Sequence, residues 1–85
     1  MIHKLKTINP FFEDVVARKK NFEIRKNDRN YQTGDRLILN EYLPYEKRCT
    51  GRKCLRDVVY VINHEEFPDG VKEGYVVMGI RPIGR

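Results

Sequence analysis

Within Lys19–Arg29 the hydrophobic period changes from that of a helix to that of a strand, and no other stretch constrains the fold as much. Just before it, Phe12, Val15, Val16 and Lys19 fall at helical spacing, so Phe12, Val15 and Val16 are expected to form a buried stripe. From Phe22 the period is two. Phe22 and Ile24 are expected on one face, toward a core, with Glu23 and Arg25 on the opposite face. Asn27-Asp28-Arg29-Asn30 then forms a turn cluster. A strand face carrying a carboxylate and a guanidinium is either solvated or lines a site.

The rest of the chain supplies partners for this strand. His3–Ile8 reads as a first strand, with Leu5 inward and Lys4 and Lys6 pointing the other way. Asn9-Pro10 opens the helix, with Asn9 as cap and Pro10 at the first helical position. Glu13 and Asp14 near its start, and Arg18, Lys19 and Lys20 near its end, complement the helix dipole, and Asn21 closes it. After a tight turn at Thr33-Gly34-Asp35, Arg36–Tyr42 is a strand whose apolar run fits a buried position. Leu43–Gly51 is a polar connection. Arg52–Ile62 is the longest strand segment and is rich in β-branched residues. A loop over Asn63–Gly74 contains Pro68-Asp69-Gly70, Gly74–Ile80 is the last strand, and Arg81–Arg85 is a tail. The order is β-α-β-β-β-β. In 85 residues it implies one mainly β (α+β) domain over 1–85: a small barrel or curled sheet of consecutive antiparallel strands with one N-terminal helix.

Charge is uneven along the chain. The net charge is +5, and the excess sits in two blocks: Arg18–Arg29 has six basic and two acidic residues, Lys47–Arg56 five basic and none acidic. Brought together they would form a basic face that favours a polyanion; left apart they serve solubility. No apolar run fits a signal peptide or membrane span, so the expectation is a cytoplasmic protein without membrane contact, with Cys49 and Cys54 as reduced thiols. Those two cysteines lack a second ligand pair at metal-binding spacing, since His3 and His64 are the only histidines, so neither a metal nor another cofactor is expected. No nucleophile elbow or glycine-rich phosphate loop is present.

Lys20, Glu23 and Arg25 combine an ammonium, a carboxylate and a guanidinium within six residues. A carboxylate can accept hydrogen bonds from a base amino group, and a guanidinium offers a planar fork to a phosphate or base edge. Tyr31, Tyr42, Tyr45 and Tyr60 are candidate stacking surfaces for a splayed-out base. The same residues also fit an ion pair on a solvated sheet face, which would be worth little.

The run Lys20-x-x-Glu23-x-Arg25 resembles the Gly-x-Lys-x-x-Glu-x-Arg motif of ASCH domains in the PUA-like superfamily. Phe22–Arg29 followed by Gly34-Asp35 is similar, more narrowly, to small stand-alone ASCH-like proteins of bacteria and phages whose function is uncharacterised. His3-x-Leu5-Lys6, Thr50-Gly51-Arg52 and Gly74-Tyr75-Val76-Val77-Met78 extend the resemblance over nearly the whole chain. Arg18 stands where the general motif has glycine, a residue that eases a helix exit.

This resemblance implies a compact PUA-like β-barrel with a cleft beside the polar motif, and RNA or a nucleotide-like ligand as partner. Lys20, Glu23 and Arg25 would recognise the ligand, joined by Lys26 and Tyr31, while Arg29, Arg48, Arg52 and Lys53 would attract phosphates non-specifically. A second ASCH-like family hydrolyses the acetyl amide of acetylated cytidine with a lysine, a threonine three residues later and a later glutamate. Lys20 matches that lysine, but Glu23 stands at the threonine position; Glu73 is one candidate for the later glutamate. A small amidohydrolase on a modified nucleoside, with Lys20 and Glu23 as machinery, is therefore the first alternative. A regulatory domain that binds another protein is the second.

Overall fold

The structure is a computed structural model that describes residues 1–84, so Arg85 of the expected tail lies outside the described residues. The elements are β1 (Ile2–Thr7), α1 (Phe11–Val16), β2 (Phe22–Lys26), β3 (Arg36–Leu43), β4 (Arg48–Asn63) and β5 (Tyr75–Pro82). All strands join one five-stranded sheet in the order β1-β3-β4-β5-β2. The fold is mainly β with one short helix, as expected. Its connectivity is not a run of antiparallel neighbours: β1 and β2 lie at opposite edges, and β1 pairs with β3 in parallel, Leu5 opposite Leu39. The other three pairings are antiparallel.

The sheet is curled. Irregularities interrupt the β3–β4 register between Asn40 and Tyr42 and the β4–β5 register between Val58 and Tyr60, and such bulges bend a strand. The two edges come so close that Arg25 of β2 donates from Nη1 to the Lys6 carbonyl of β1 at 2.9 Å. On the concave side Leu37 and Leu39 of β3, Val58 of β4 and Met78 of β5 are buried, and Phe12 and Val15 of α1 close the core over them.

Several sequence expectations change. The helix covers only Phe11–Val16, with Pro10 outside it after a cis Asn9–Pro10 peptide. Asn9 still serves the first turn: its Oδ1 accepts the Glu13 N–H at 3.0 Å. The helix stops early because Arg18 adopts a left-handed conformation (φ 62°) and the amides of Lys19 and Lys20 both turn back to the Asp14 carbonyl. Arg18, Lys19 and Lys20 therefore lie beyond the last turn, and a cation from elsewhere serves it: Arg56 of β4 donates from Nη2 to the Val15 carbonyl at 2.8 Å. Val16, expected in the buried stripe, is exposed.

Most of the expected polar connection over Leu43–Gly51 is strand, because β3 and β4 extend as a hairpin with Tyr42 opposite Cys49 and Leu43 opposite Arg48. Residues 48–53 are all exposed, so this extension lacks the buried face that would mark it as strand in the sequence. The tail begins later than expected, since β5 continues through Arg81 and Pro82.

β2 is turned over relative to expectation. Glu23 is 2% exposed and faces inward opposite Met78, while Phe22 and Ile24 are 44% and 57% exposed. Alternation defines two faces but not which one is buried. Here the polar face goes inside because cationic side chains meet it there.

Candidate functional site in the cleft between the edge strands

The inward-facing Glu23 carboxylate is held from both sides. Lys20 Nζ donates to Oε2 at 2.6 Å, and Arg25 Nε donates to Oε1 at 2.9 Å. Lys20 also donates to the Phe22 carbonyl at 2.7 Å, and Arg25 reaches across the seam to the Lys6 carbonyl and, at 3.0 Å, to Thr7 Oγ1. An ion pair this deeply buried is expensive to desolvate and persists only when its remaining hydrogen-bonding groups are met. The backbone and hydroxyl of β1 supply those partners.

Beside this cluster opens a cleft of about 680 Å³, within the size range of small-molecule sites. Its apolar lining comes from Ile8, Phe11, Phe22 and Ile24, and Lys6, Lys19, Lys20 and Arg25 contribute cations. The reversal of β2 has a consequence here, since the apolar residues denied to the core line the cleft instead. Lys20 Nζ lies 5.0 Å from the Phe22 ring centroid and 5.9 Å from that of Phe11, within cation–π range. The chain leading into α1 is fixed by Glu41, at the β3 bulge, whose carboxylate accepts from Asn9 Nδ2 and Thr50 Oγ1, both at 2.7 Å. The Thr50 and Asn9 hydrogen bonds hold its carboxyl below the usual glutamate range.

On the other side of Arg25 lies a second hollow of about 370 Å³, lined by Lys4, Leu5, Lys6, Arg25, Lys26, Asp28, Arg29 and Tyr31. Arg29 Nη1 donates to the Lys4 carbonyl at 3.0 Å, so the two arginines span the seam at successive outward-facing carbonyls of β1.

The structure therefore brings Lys20, Glu23 and Arg25 together in the first cleft, and Lys26, Arg29 and Tyr31 around the second. It sets Arg48, Arg52 and Lys53 apart from both. Arg48 pairs with Glu46, and Arg52 with Glu13 and Glu41. Lys53 is exposed in lateral register with Asn40 and, through it, with Lys6. Tyr31 is 4% exposed and packs edge-on against His3, so its ring faces are not free for stacking; burial pushes its phenol up. Glu73 lines neither cavity.

Sequence reasoning missed Phe11, Phe22 and the β1 residues Lys4, Lys6 and Thr7. One signal was available: Phe11 and Phe12 are adjacent on a helix, and only one of them can face the core. Cys49 is exposed and Cys54 buried, both as free thiols, and burial pushes the Cys54 thiol up despite nearby Arg56. Among the described residues there is no cluster of three or more His, Cys, Asp or Glu side chains able to hold a metal ion, and no helix long and apolar enough to cross a membrane.

Fold and site together define a class of small proteins in which a curled, mainly β sheet leaves a charged cleft between its two edge strands. The chain belongs to the family described as Domain of unknown function (DUF3850), whose model matches residues 2–80. It is 46% identical over 52 residues to the "Uncharacterized 12.9 kDa protein in GpA 3'region" of Escherichia phage P2. That match takes in 61% of this chain but 46% of the phage protein, so the chain spans less than half of this relative. The crystal structure of hypothetical protein PH0355 has the same fold, with a TM-score of 0.64 over 98% of this chain and 100% of that one at 20% identity.

Proposed function

We propose that this protein is an ASCH-type member of the PUA-like superfamily and binds RNA or a nucleotide-like ligand in the first cleft. The observation that carries the reading is the meeting of Lys20, Glu23 and Arg25 in a cleft also lined by half-exposed Phe11 and Phe22. A base stacks on an aromatic ring whatever its identity, and the neighbouring charges read its edge. Of the three N–H donors of Lys20, Glu23 and the Phe22 carbonyl take two, which leaves one for a base carbonyl. Both oxygens of Glu23 already accept from cations, which favours recognition over activation of a hydrolytic water.

The test is binding of a diverse single-stranded RNA pool and of the common nucleotides, followed by fluorescence anisotropy at several salt concentrations. Affinity should fall as salt rises, and Lys20→Ala, Phe11→Ser and Phe22→Ala should each weaken it. The two phenylalanine variants alter half-exposed side chains and so leave the core intact. Undiminished binding in all three variants would place the site elsewhere. Turnover of an acetylated cytidine would instead favour the amidohydrolase.

A further inference from the structure

Positive charge is balanced over much of the molecule and unbalanced at the seam. Arg36 pairs with Asp57, Arg48 with Glu46, and Arg52 with Glu13 and Glu41. In the second hollow Arg25 is paired with Glu23, while Lys4, Lys6, Lys26 and Arg29 line the same surface as one acid, Asp28, which forms no ion pair among the described residues. Lys4 and Lys26 are exposed and have no ion-pair partner among the described residues. The Lys6 ammonium meets the Tyr42 ring, at 4.8 Å, and has no ion-pair partner among the described residues. Arg25 and Arg29 are fixed in place by the β1 carbonyls; among the described residues Arg29 has an acceptor at Nη1 alone, whereas Arg25 has partners at all three nitrogens and keeps one N–H on Nη1. Tyr31 also lines the hollow. Preset cationic donors around a concave surface favour a compact anion, because little side-chain freedom is lost on binding.

We infer that the second hollow is a phosphate subsite, adjoining the first cleft across Arg25 and Lys6, which line both. The ligand class is then a nucleotide, with its base in the first cleft and its phosphate at the seam, rather than a free nucleoside. This inference rests on the nucleotide-binding reading above. It also moves the phosphate contacts away from the Lys47–Arg56 block, two of whose arginines pair with carboxylates and a third with the Val15 carbonyl.

The experiment titrates the four ribonucleosides, their 5′-monophosphates, inorganic phosphate, and a short single-stranded RNA with and without a 5′-phosphate, followed by amide chemical shifts. The proteins are wild type, Lys4→Ala/Lys26→Ala, and Arg81→Ala as a charge control distant in sequence from both cavities. Lys4 and Lys26 are exposed, so their truncation spares the core. Monophosphates should bind roughly tenfold or more tighter than nucleosides, the size of one or two charge-assisted hydrogen bonds. That ratio should collapse in Lys4→Ala/Lys26→Ala and persist in Arg81→Ala. Inorganic phosphate alone should shift the amides of β1 and of residues 25–29. A gain from the 5′-phosphate on RNA identifies a terminal phosphate; equal binding of both RNAs above nucleoside identifies the chain phosphodiester. Equal affinity for nucleosides, monophosphates and RNA overturns the subsite but leaves the cleft reading standing. A ratio that survives loss of Lys4 and Lys26 also overturns it, and absence of binding by every probe overturns both.

Discussion

Removing one partner from a buried ion pair leaves a charge that neither water nor protein compensates, at a cost of about 3–5 kcal/mol. Glu23 is the residue where this applies. Lys20→Ala and Arg25→Ala each leave Glu23 one cationic partner, so each should destabilise the fold by less than that, about 1.5–3 kcal/mol, and Lys20→Ala/Glu23→Gln should recover part of the loss, as read from urea midpoints. Arg18 presents the opposite case. Its φ of 62° is costly for any residue with a Cβ, so Arg18→Gly should raise stability by about 1 kcal/mol with the cleft unchanged. Asp35 gives a pH signature. Burial raises its pKa, but hydrogen bonds from His3, the Gln32 amide and the N-terminal amine outweigh it and leave the group below the ordinary 3.8. The unfolded chain therefore takes up this proton first. The stabilisation is complete above about pH 5 and is lost as pH falls through 3.8 toward the lower folded value. Equilibrium unfolding at pH 6 and pH 3 should show a gap between wild type and Asp35→Asn that narrows at the lower pH.

A six-residue helix does not hold itself together in water, so α1 depends on what it packs against. Phe12 and Val15 anchor it to the sheet, and the Arg56 guanidinium binds its last turn through the Val15 carbonyl. Arg56→Met keeps much of the aliphatic packing but removes the charged donor to that carbonyl and leaves it the Arg18 N–H, at 3.0 Å. It should cost about 1–3 kcal/mol and speed hydrogen exchange at Ala17–Lys20 more than within β4. Elements of this kind mark where the sequence was legible and where it was not. Strands were readable where one face is buried by aliphatic residues, as with Leu37 and Leu39, or Val58 and its neighbours. The outer part of the β3–β4 hairpin was not, because neither of its faces is buried. β2 was found as a strand but with its faces reversed. Its orientation depends on Thr7 and the Lys6 carbonyl, which belong to a strand far away in sequence. The polar triad was legible as a local motif, whereas the aromatic lining of the cleft follows from that non-local reversal.

At the scale of the whole molecule, the sheet is held unevenly around its curl. β3, β4 and β5 each have neighbours on both sides, while β1 pairs only with β3 and β2 only with β5. Both edge pairings join segments distant in sequence, Ile2 with Arg36 and Phe22 with Gly79, so neither edge gains much local support. Among the described residues no backbone ladder joins β1 to β2 across the seam; the links are side-chain hydrogen bonds from Arg25 and Arg29 to β1. The proposed binding cleft adjoins this weakly joined seam, so under that proposal binding and stability would meet in the same two arginines. Native-state hydrogen exchange should therefore find a sub-global opening of β1 and β2 at lower free energy than the global unfolding reported by β4. Arg29→Ala should lower the β1 opening free energy by about 1 kcal/mol, the worth of one hydrogen bond to a backbone carbonyl, and leave the most protected β4 amides nearly unchanged. If β1 and β4 exchange through a single event in both proteins, the seam is not a separate point of opening. Closure of the curl then belongs to the cooperative core.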